Sequence, residues 1–332
     1  MSAISPAPLL DVTALRRLFP IRRSFADVLT RRSHAVHAVD AVSFTLNPGE
    51  ILALVGESGC GKSTTGRLIV RLDTATSGAI RFRGHDVTHL GSAALKQFRR
   101  QAQIIFQNPF EAFDSRQTIA ASLQQVLHIH DIGTQQERQA RIVAALAGAG
   151  IVPAGDFLSR YPHELSGGQL QRIATVRVML LEPNLLIADE PVSMLDVSVR
   201  AEILNQLLDL RGSRQMAIVF ITHDIAVARY MADRIAVMYL GAFAEIGPVD
   251  DVIENPQHPY TKALLSHTLP IGDEVIGEPL EIPGDPPTPI DLGVGCRFAD
   301  RCPFAFERCR METPRLQPVD PRRQVACHLM DD

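Results

Sequence analysis

Apolar positions along this chain come in distinct textures. Between residues 11 and 46 they alternate with polar ones around an arginine-rich interruption, most regularly in Val39-Asp40-Ala41-Val42-Ser43-Phe44, the period-two pattern of a strand with one buried face. Unbroken apolar runs follow at Ile51-Leu52-Ala53-Leu54-Val55, Leu185-Leu186-Ile187-Ala188 and Ala217-Ile218-Val219-Phe220-Ile221. Runs of this length predict strands covered on both faces, as in a parallel sheet. From about 95 to 181 the pattern becomes mostly helical, as over 137–149. Strands alternating with helices predict an α/β core.

Beyond residue 248 the pattern changes again. Pro279, Pro283, Pro286, Pro287 and Pro289 crowd a short stretch that can continue neither a helix nor a central strand, so 279–289 reads as an extended linker, followed by a cysteine-bearing tail. The expected division is a main domain over 1–250 and an extension over 251–332.

Directly after the first apolar run comes Gly56-Glu57-Ser58-Gly59-Cys60-Gly61-Lys62-Ser63, of the form G-x-x-x-x-G-K-S, with Thr64 next. A tight turn would explain the glycines alone. Strand, loop, Gly-Lys-Ser and a helix-compatible continuation together predict a phosphate loop, in which backbone N–H groups close around phosphates and Lys62 adds a full charge. Ser63 is expected to coordinate Mg²⁺. Cys60 lies near Lys62 and a helix start, which predicts a lowered thiol pKa and maleimide labelling slowed by ATP. The run Leu185-Leu186-Ile187-Ala188 ends in Asp189-Glu190, where Asp189 is expected to hold Mg²⁺ and Glu190 to polarise the attacking water.

Leu165-Ser166-Gly167-Gly168-Gln169 is a signature sequence, and from about 11 to 249 the chain resembles the ATP-binding cassette (ABC) proteins. The resemblance implies an α/β, ABC-type P-loop NTPase core with a helical subdomain at about 95–181, and ATP and Mg²⁺ as its ligands. It also implies that Ser166, Gly167, Gly168 and Gln169 touch the γ-phosphate of an ATP held by a second ABC subunit, so that two cassettes meet face to face. Gln107, in Ile104-Ile105-Phe106-Gln107, matches the glutamine loop that reaches Mg²⁺ and water at one end and the membrane partner at the other. Asp196 matches the D-loop aspartate and His223 the switch histidine that contacts the γ-phosphate. Phe19 best matches the aromatic residue that stacks on adenine, with Phe25 and Phe44 as competitors.

The tail extends the resemblance. Asn255-Pro256-Gln257-His258-Pro259-Tyr260 and Cys296-Arg297-Phe298-Ala299-Asp300-Arg301-Cys302-Pro303 are similar to the C-terminal extension of dipeptide and oligopeptide importer ATPases, and the wording of the phosphate loop leans towards the second of the two paralogous ATPases of such systems. The implied partners are that paralogue, two membrane permease subunits and, indirectly, an extracytoplasmic solute-binding protein. Cys296, Cys302, Cys309 and Cys327 are spaced C-x5-C-x6-C-x17-C. Reducing cytosol disfavours disulfides. Some relatives hold a [4Fe-4S] cluster at matching cysteines, which ranks iron–sulfur above zinc and zinc above free thiols.

There are departures from the family pattern. Leu170 stands where close relatives have Arg and is expected to weaken the composite site with the partner, and Phe113-Asp114-Ser115 replaces Leu-Asn-Pro, which bears on permease docking.

Lys and Arg number 33 against 37 Asp and Glu, a net charge of −4, which argues against nucleic acid as a partner. Arg16, Arg17, Arg22, Arg23, Arg31 and Arg32 form a locally basic arm, read as a solvated face. No run approaches the ~20 apolar residues of a spanning helix, and the start lacks the features of a signal peptide, so the chain is expected to stay in the cytoplasm; the resemblance to importer ATPases implies a peripheral place on the cytoplasmic face of the inner membrane. Importers of nickel or glutathione, and soluble ABC ATPases without a pore, remain as alternative functions.

Overall fold

The computed structural model describes residues 7–21, 34–193, 195, 197–268 and 280–331; Arg22, Arg23, Phe25, Arg31, Arg32 and Asp196 lie outside them. In chain order the elements are β1 (Leu10–Pro20), β2 (Ala35–Leu46), β3 (Ile51–Val55), α1 (Lys62–Ile69), β4 (Ser77–Phe82), β5 (His85–Asp86), α2 (Ser92–Gln101) and β6 (Ala102–Ile105). Next come α3 (Ile119–Ile129), α4 (Gln135–Gly148), α5 (Ala154–Leu158), α6 (Gly167–Met179), β7 (Leu185–Asp189), α7 (Val197–Arg214), β8 (Ala217–Ile221) and α8 (Ile225–Met231). The last are β9 (Arg234–Tyr239), β10 (Ala242–Pro248), α9 (Val249–Glu254), α10 (Pro259–Thr268), α11 (Glu307–Met311), β11 (Gln317–Asp320) and β12 (Arg323–Val325).

The chain forms two compact units, one of residues 1–47, 51–88 and 220–332, the other of 48–50 and 89–219. In the first, β2, β1, β4 and β5 make an antiparallel sheet in that order. The alternation that predicted β2 is visible there, with Val42, Phe44 and Leu46 buried and Ala41, Ser43 and Thr45 exposed. A second sheet of this unit runs β11-β12-β10-β9-β3. All five residues of β3 are buried, and the strand pairs in parallel with β9 from Leu52↔Arg234 to Val55↔Val237.

The C-terminal extension belongs to this same unit, and its strands extend the sheet that carries the phosphate loop. Strand β12 pairs with β10 through Glu245↔Val325 and Ile246↔Gln324. At that seam Glu245, fully buried, accepts hydrogen bonds from Arg323 Nε at 2.8 Å and from the His258 backbone N–H at 3.0 Å; Arg323 Nη2 donates to it as well. A buried carboxylate is tolerable only when paired in this way. The described part of the proline-rich linker is extended and pinned to β2, with His37 N–H donating to the Pro289 carbonyl at 2.8 Å and Val36 bridging Ile290. Prolines cannot donate in such a contact but their carbonyls can accept.

In the second unit β6 and β7 pair in parallel, with Ile104 opposite Ile187 and Ile105 opposite Ala188. Its helices α3 to α6 enclose a hydrophobic core that includes Ile119, Leu123, Ile142, Leu146, Leu170 and Ile173, each with no exposed surface. Among the described residues no helix is long and apolar enough to cross a membrane.

Candidate nucleotide site

The phosphate-loop residues sit between β3 and α1 in the first unit. Gly56 stands at φ 147 and Gly61 at φ 106. A Cβ added to Gly56 would come within 2.2 Å of the Met238 carbonyl oxygen, and one on Gly61 within 2.1 Å of the Ala38 carbonyl oxygen. Both positions therefore exclude any side chain on two grounds, conformation and space. Gly61 is the N-cap of α1, which starts at Lys62 without a side-chain cap, leaving backbone N–H groups of its first turn to point at an incoming anion. Lys62 is buried, and its Nζ donates to the carbonyls of Gly56 at 2.7 Å and Glu57 at 3.0 Å. Ser58, Gly59 and Ser63 are exposed, with Thr64 half-buried beside them.

Glu57 is the one acid in the loop, and each of its polar groups is held. Its carbonyl takes the Lys62 bond, its backbone N–H donates to Tyr260 Oη at 3.0 Å, and its carboxylate receives a two-pronged guanidinium. Arg301 Nη1 donates to Oε2 at 2.8 Å and Nη2 to Oε1 at 3.0 Å. The same guanidinium donates from Nε to the Pro283 carbonyl at 3.1 Å, from Nη2 to the Gly284 carbonyl at 2.7 Å and from Nη1 to Tyr239 Oη at 3.4 Å. These contacts match the five N–H donors that an arginine carries. Tyr239, Tyr260 and Phe298 pack ring against ring at 4.6–5.4 Å behind it. The sequence marked Tyr260 and Arg301 only as part of a family-specific tail; their position at the loop has no signature in spacing, since 203 and 244 residues separate them from Glu57.

Cys60 corrects an expectation. It is buried, and loss of solvent pushes its thiol pKa up, outweighing the pull of the Lys62 ammonium 3.7 Å away. Position in a phosphate loop lowers a thiol pKa only where the thiolate keeps solvent or donors; here the side chain points into the protein beneath Gly56. Its labelling by maleimide is limited by burial.

Of the adenine candidates, Phe19 is exposed near the end of β1, with the Arg17 guanidinium 4.4 Å from its ring centroid. Phe44 is buried against Phe243 and has no face to offer a base. His223 is exposed immediately after β8. The segment beyond it is fixed by Asp224, which receives the Val227 N–H on its carboxylate at 3.1 Å and caps α8.

The second unit carries the remaining candidates. Asp189 is buried at the end of β7, and Glu190, the next residue, has a left-handed backbone at φ 44. Gln107 donates from Nε2 to Glu190 Oε2 at 2.7 Å, so the glutamine after β6 and the acid after β7 are brought together. The signature segment is a helix start. Ser166 is the N-cap of α6 and forms a capping box with Gln169, which donates its N–H to Ser166 Oγ at 3.2 Å and accepts the Ser166 N–H on Oε1 at 3.1 Å. Ser166 and Gly167 are exposed, Gly168 and Gln169 half-buried. A Cβ on Gly167 would meet nothing within 4 Å, so its bareness is not demanded by its own unit.

Leu170 is fully buried in the helical core, so its side chain contributes through packing. Phe113 belongs to the same core, and Asp114 is held by the Arg116 guanidinium at 3.0–3.1 Å, which closes a local turn.

In the tail, Cys296, Cys302, Cys309 and Cys327 are all free thiols. Burial pushes Cys296 up to about 11, and the other three thiols add to the rise, which places the four in one electrostatic neighbourhood. Among the described residues, however, no three His, Cys, Asp or Glu side chains stand in an array that could hold a metal ion. The donors suit a soft metal and the arrangement is not that of a formed ligand set.

Residues 39–193 match the ABC transporter family, and residues 244–309 match the Oligopeptide/dipeptide transporter, C-terminal region family. The chain is 45% identical over 298 residues to the di/tripeptide transport ATP-binding protein DppF of Pseudomonas aeruginosa, covering 90% of this chain and 91% of that protein. It belongs to the ABC transporter ATPases. The oligopeptide transport ATP-binding protein AppF of Bacillus subtilis is 40% identical across 99% of both chains. Among solved structures, a dimeric bacterial ABC transporter cassette, MJ0796, superposes on 72% of this ABC ATPase with a TM-score of 0.64 at 25% identity, covering 98% of that chain.

Proposed function

We propose that this ABC ATPase is the ATP-hydrolysing subunit of an importer for di- or oligopeptides. The observation that carries the reading is the loop around Lys62. Gly56 and Gly61 are held in conformations that only glycine adopts, a helix opens without a side-chain cap, and a buried ammonium rests on loop carbonyls until polyphosphate replaces them. The names of the relatives and the match of residues 244–309 support peptides as cargo.

In this reading the backbone of residues 56–64 and Lys62 bind the β- and γ-phosphates, and Phe19 stacks on the adenine. Ser63, Gln107 and Asp189 would hold Mg²⁺, whose chemistry is to neutralise charge on the phosphate oxygens. Glu190 orients and polarises the attacking water, and Gln107 holds its carboxylate in place. His223 donates to the γ-phosphate, while Ser166, Gly167, Gly168 and Gln169 complete the site of a partner cassette, with Asp196 at the seam. ATP binding then draws two cassettes together and hydrolysis lets them part, which moves the permease subunits. The partners are a paralogous ATPase and two permeases, supplied by an extracytoplasmic binding protein, and the working location is the cytoplasmic face of the membrane. The four tail thiols are proposed as an iron–sulfur or, second, a zinc site on donor chemistry alone; iron, sulfide and zinc assays on anaerobically purified protein decide it.

The test is the purified transporter in lipid. Peptide-loaded binding protein is expected to stimulate its ATPase, and Lys62→Ala to abolish both ATP binding and stimulation. An ATPase indifferent to peptides but stimulated by a nickel- or glutathione-loaded binding protein would move the cargo assignment; full activity of Lys62→Ala would end the reading.

A further inference from the structure

The phosphate loop is braced from outside the nucleotide-binding core, by an arginine 244 residues further along the chain. Arg301 is only 8% exposed, and every N–H it carries has an acceptor. Two of those acceptors are the carboxylate oxygens of Glu57, and two are the carbonyls of Pro283 and Gly284 in the extended linker. A buried guanidinium locked at five points has one orientation, so it fixes where the Glu57 carboxylate lies. Tyr260 fixes the same residue from its backbone N–H. Glu57 in turn passes its carbonyl to Lys62.

The charge arithmetic points the same way. Residues 56–63 contain one cation, Lys62, and one anion, Glu57. Left alone, the Glu57 carboxylate would repel the phosphates that the loop encloses and would compete for the Lys62 ammonium. The Arg301 guanidinium cancels that charge and holds the carboxylate in a two-pronged ion pair.

We propose that Arg301 is a positioning residue for nucleotide binding, acting through Glu57 to shape the phosphate loop and to neutralise its one acid. This rests on the loop around Lys62 being the ATP site. The C-terminal extension is then a working part of the nucleotide site.

The experiment measures ATP affinity, and KM and kcat for ATP, in the purified full transporter carrying Arg301→Ala, Arg301→Lys, Glu57→Gln, the double variant Arg301→Ala with Glu57→Gln, and Lys62→Ala. Arg301→Ala is expected to raise the Kd and KM for ATP about tenfold while kcat stays within about twofold, because binding energy lost equally from ground and transition states appears in KM. In the Glu57→Gln background the same change is expected to raise KM by less than about threefold, since the charge it answers is gone. A KM unmoved by Arg301→Ala, or a loss of equal size in both backgrounds, overturns the proposal. Thermal unfolding without nucleotide reports damage to the fold; should Arg301→Ala fail to fold, Arg301→Lys, with its charge kept and its fork lost, is expected to raise KM about threefold, and an unchanged KM overturns the proposal equally. A wild-type chain that binds ATP no better than Lys62→Ala refutes the underlying nucleotide reading, whereas tight wild-type binding with an indifferent Arg301→Ala refutes the brace alone.

Discussion

The side-chain amide of Gln107 and the carboxylate of Glu190 meet over 2.7 Å, joining the ends of two strands that run parallel, β6 and β7. Glu190 holds its place with a left-handed backbone, a conformation that costs about 1–3 kcal/mol and persists where surrounding structure imposes it. Glu190→Gln keeps the shape and hydrogen-bonding reach of the side chain but not its basicity. The expected result is unchanged ATP affinity and a kcat reduced by roughly 10²–10⁴, measured in the assembled transporter. Near-normal turnover would remove Glu190 from the chemistry.

His258 gives a pH-dependent contribution to stability. Fully buried, it accepts the Tyr260 N–H on Nδ1 at 3.0 Å, which leaves its proton on Nε2, and burial lowers its pKa from 6.5 to about 4 despite a hydrogen bond to the Ala326 backbone. A folded pKa below the unfolded one means that the neutral imidazole is the native form. Its stabilising contribution is complete above pH 6.5 and is lost as pH falls through 4, by about 3 kcal/mol over the window. Urea unfolding of wild type and His258→Gln across that range is expected to show the wild type losing its advantage as acid is added. Parallel curves would assign the acid sensitivity elsewhere.

Leu170 tests whether the residue after the signature acts by packing. With no exposed surface and a helical core around it, Leu170→Ala is expected to cost about 2–5 kcal/mol of stability. Denaturant unfolding measures this directly. A loss below about 0.5 kcal/mol, as for a surface site, would contradict the burial.

Strands β3, β7 and β8 were legible because unbroken apolar runs have few alternatives in a chain of this composition. The phosphate loop was legible because Gly56 and Gly61 occupy places where backbone oxygens leave no room for a Cβ, so chemistry and letters coincide. Ser166 and Gln169 were found as a family signature, and the serine–glutamine spacing is also that of a capping box. The burial of Cys60 and Leu170 was not legible for one reason: which way a side chain faces depends on tertiary packing, and neither has a periodic context that reports it. The pairing of Arg301 with Glu57 was invisible for a different reason, since a single ion pair between distant segments leaves no local pattern. Asp196 lies outside the described residues.

The extended stretch through Pro283 and Gly284 has a practical consequence for anyone who shortens this protein. A truncated version ending after β10 would keep every letter of the G-x-x-x-x-G-K-S motif, yet Glu57 would lose both its tyrosine and its arginine. Kinetic constants obtained on such a fragment would describe an unsupported cradle, and could not stand in for those of the intact polypeptide.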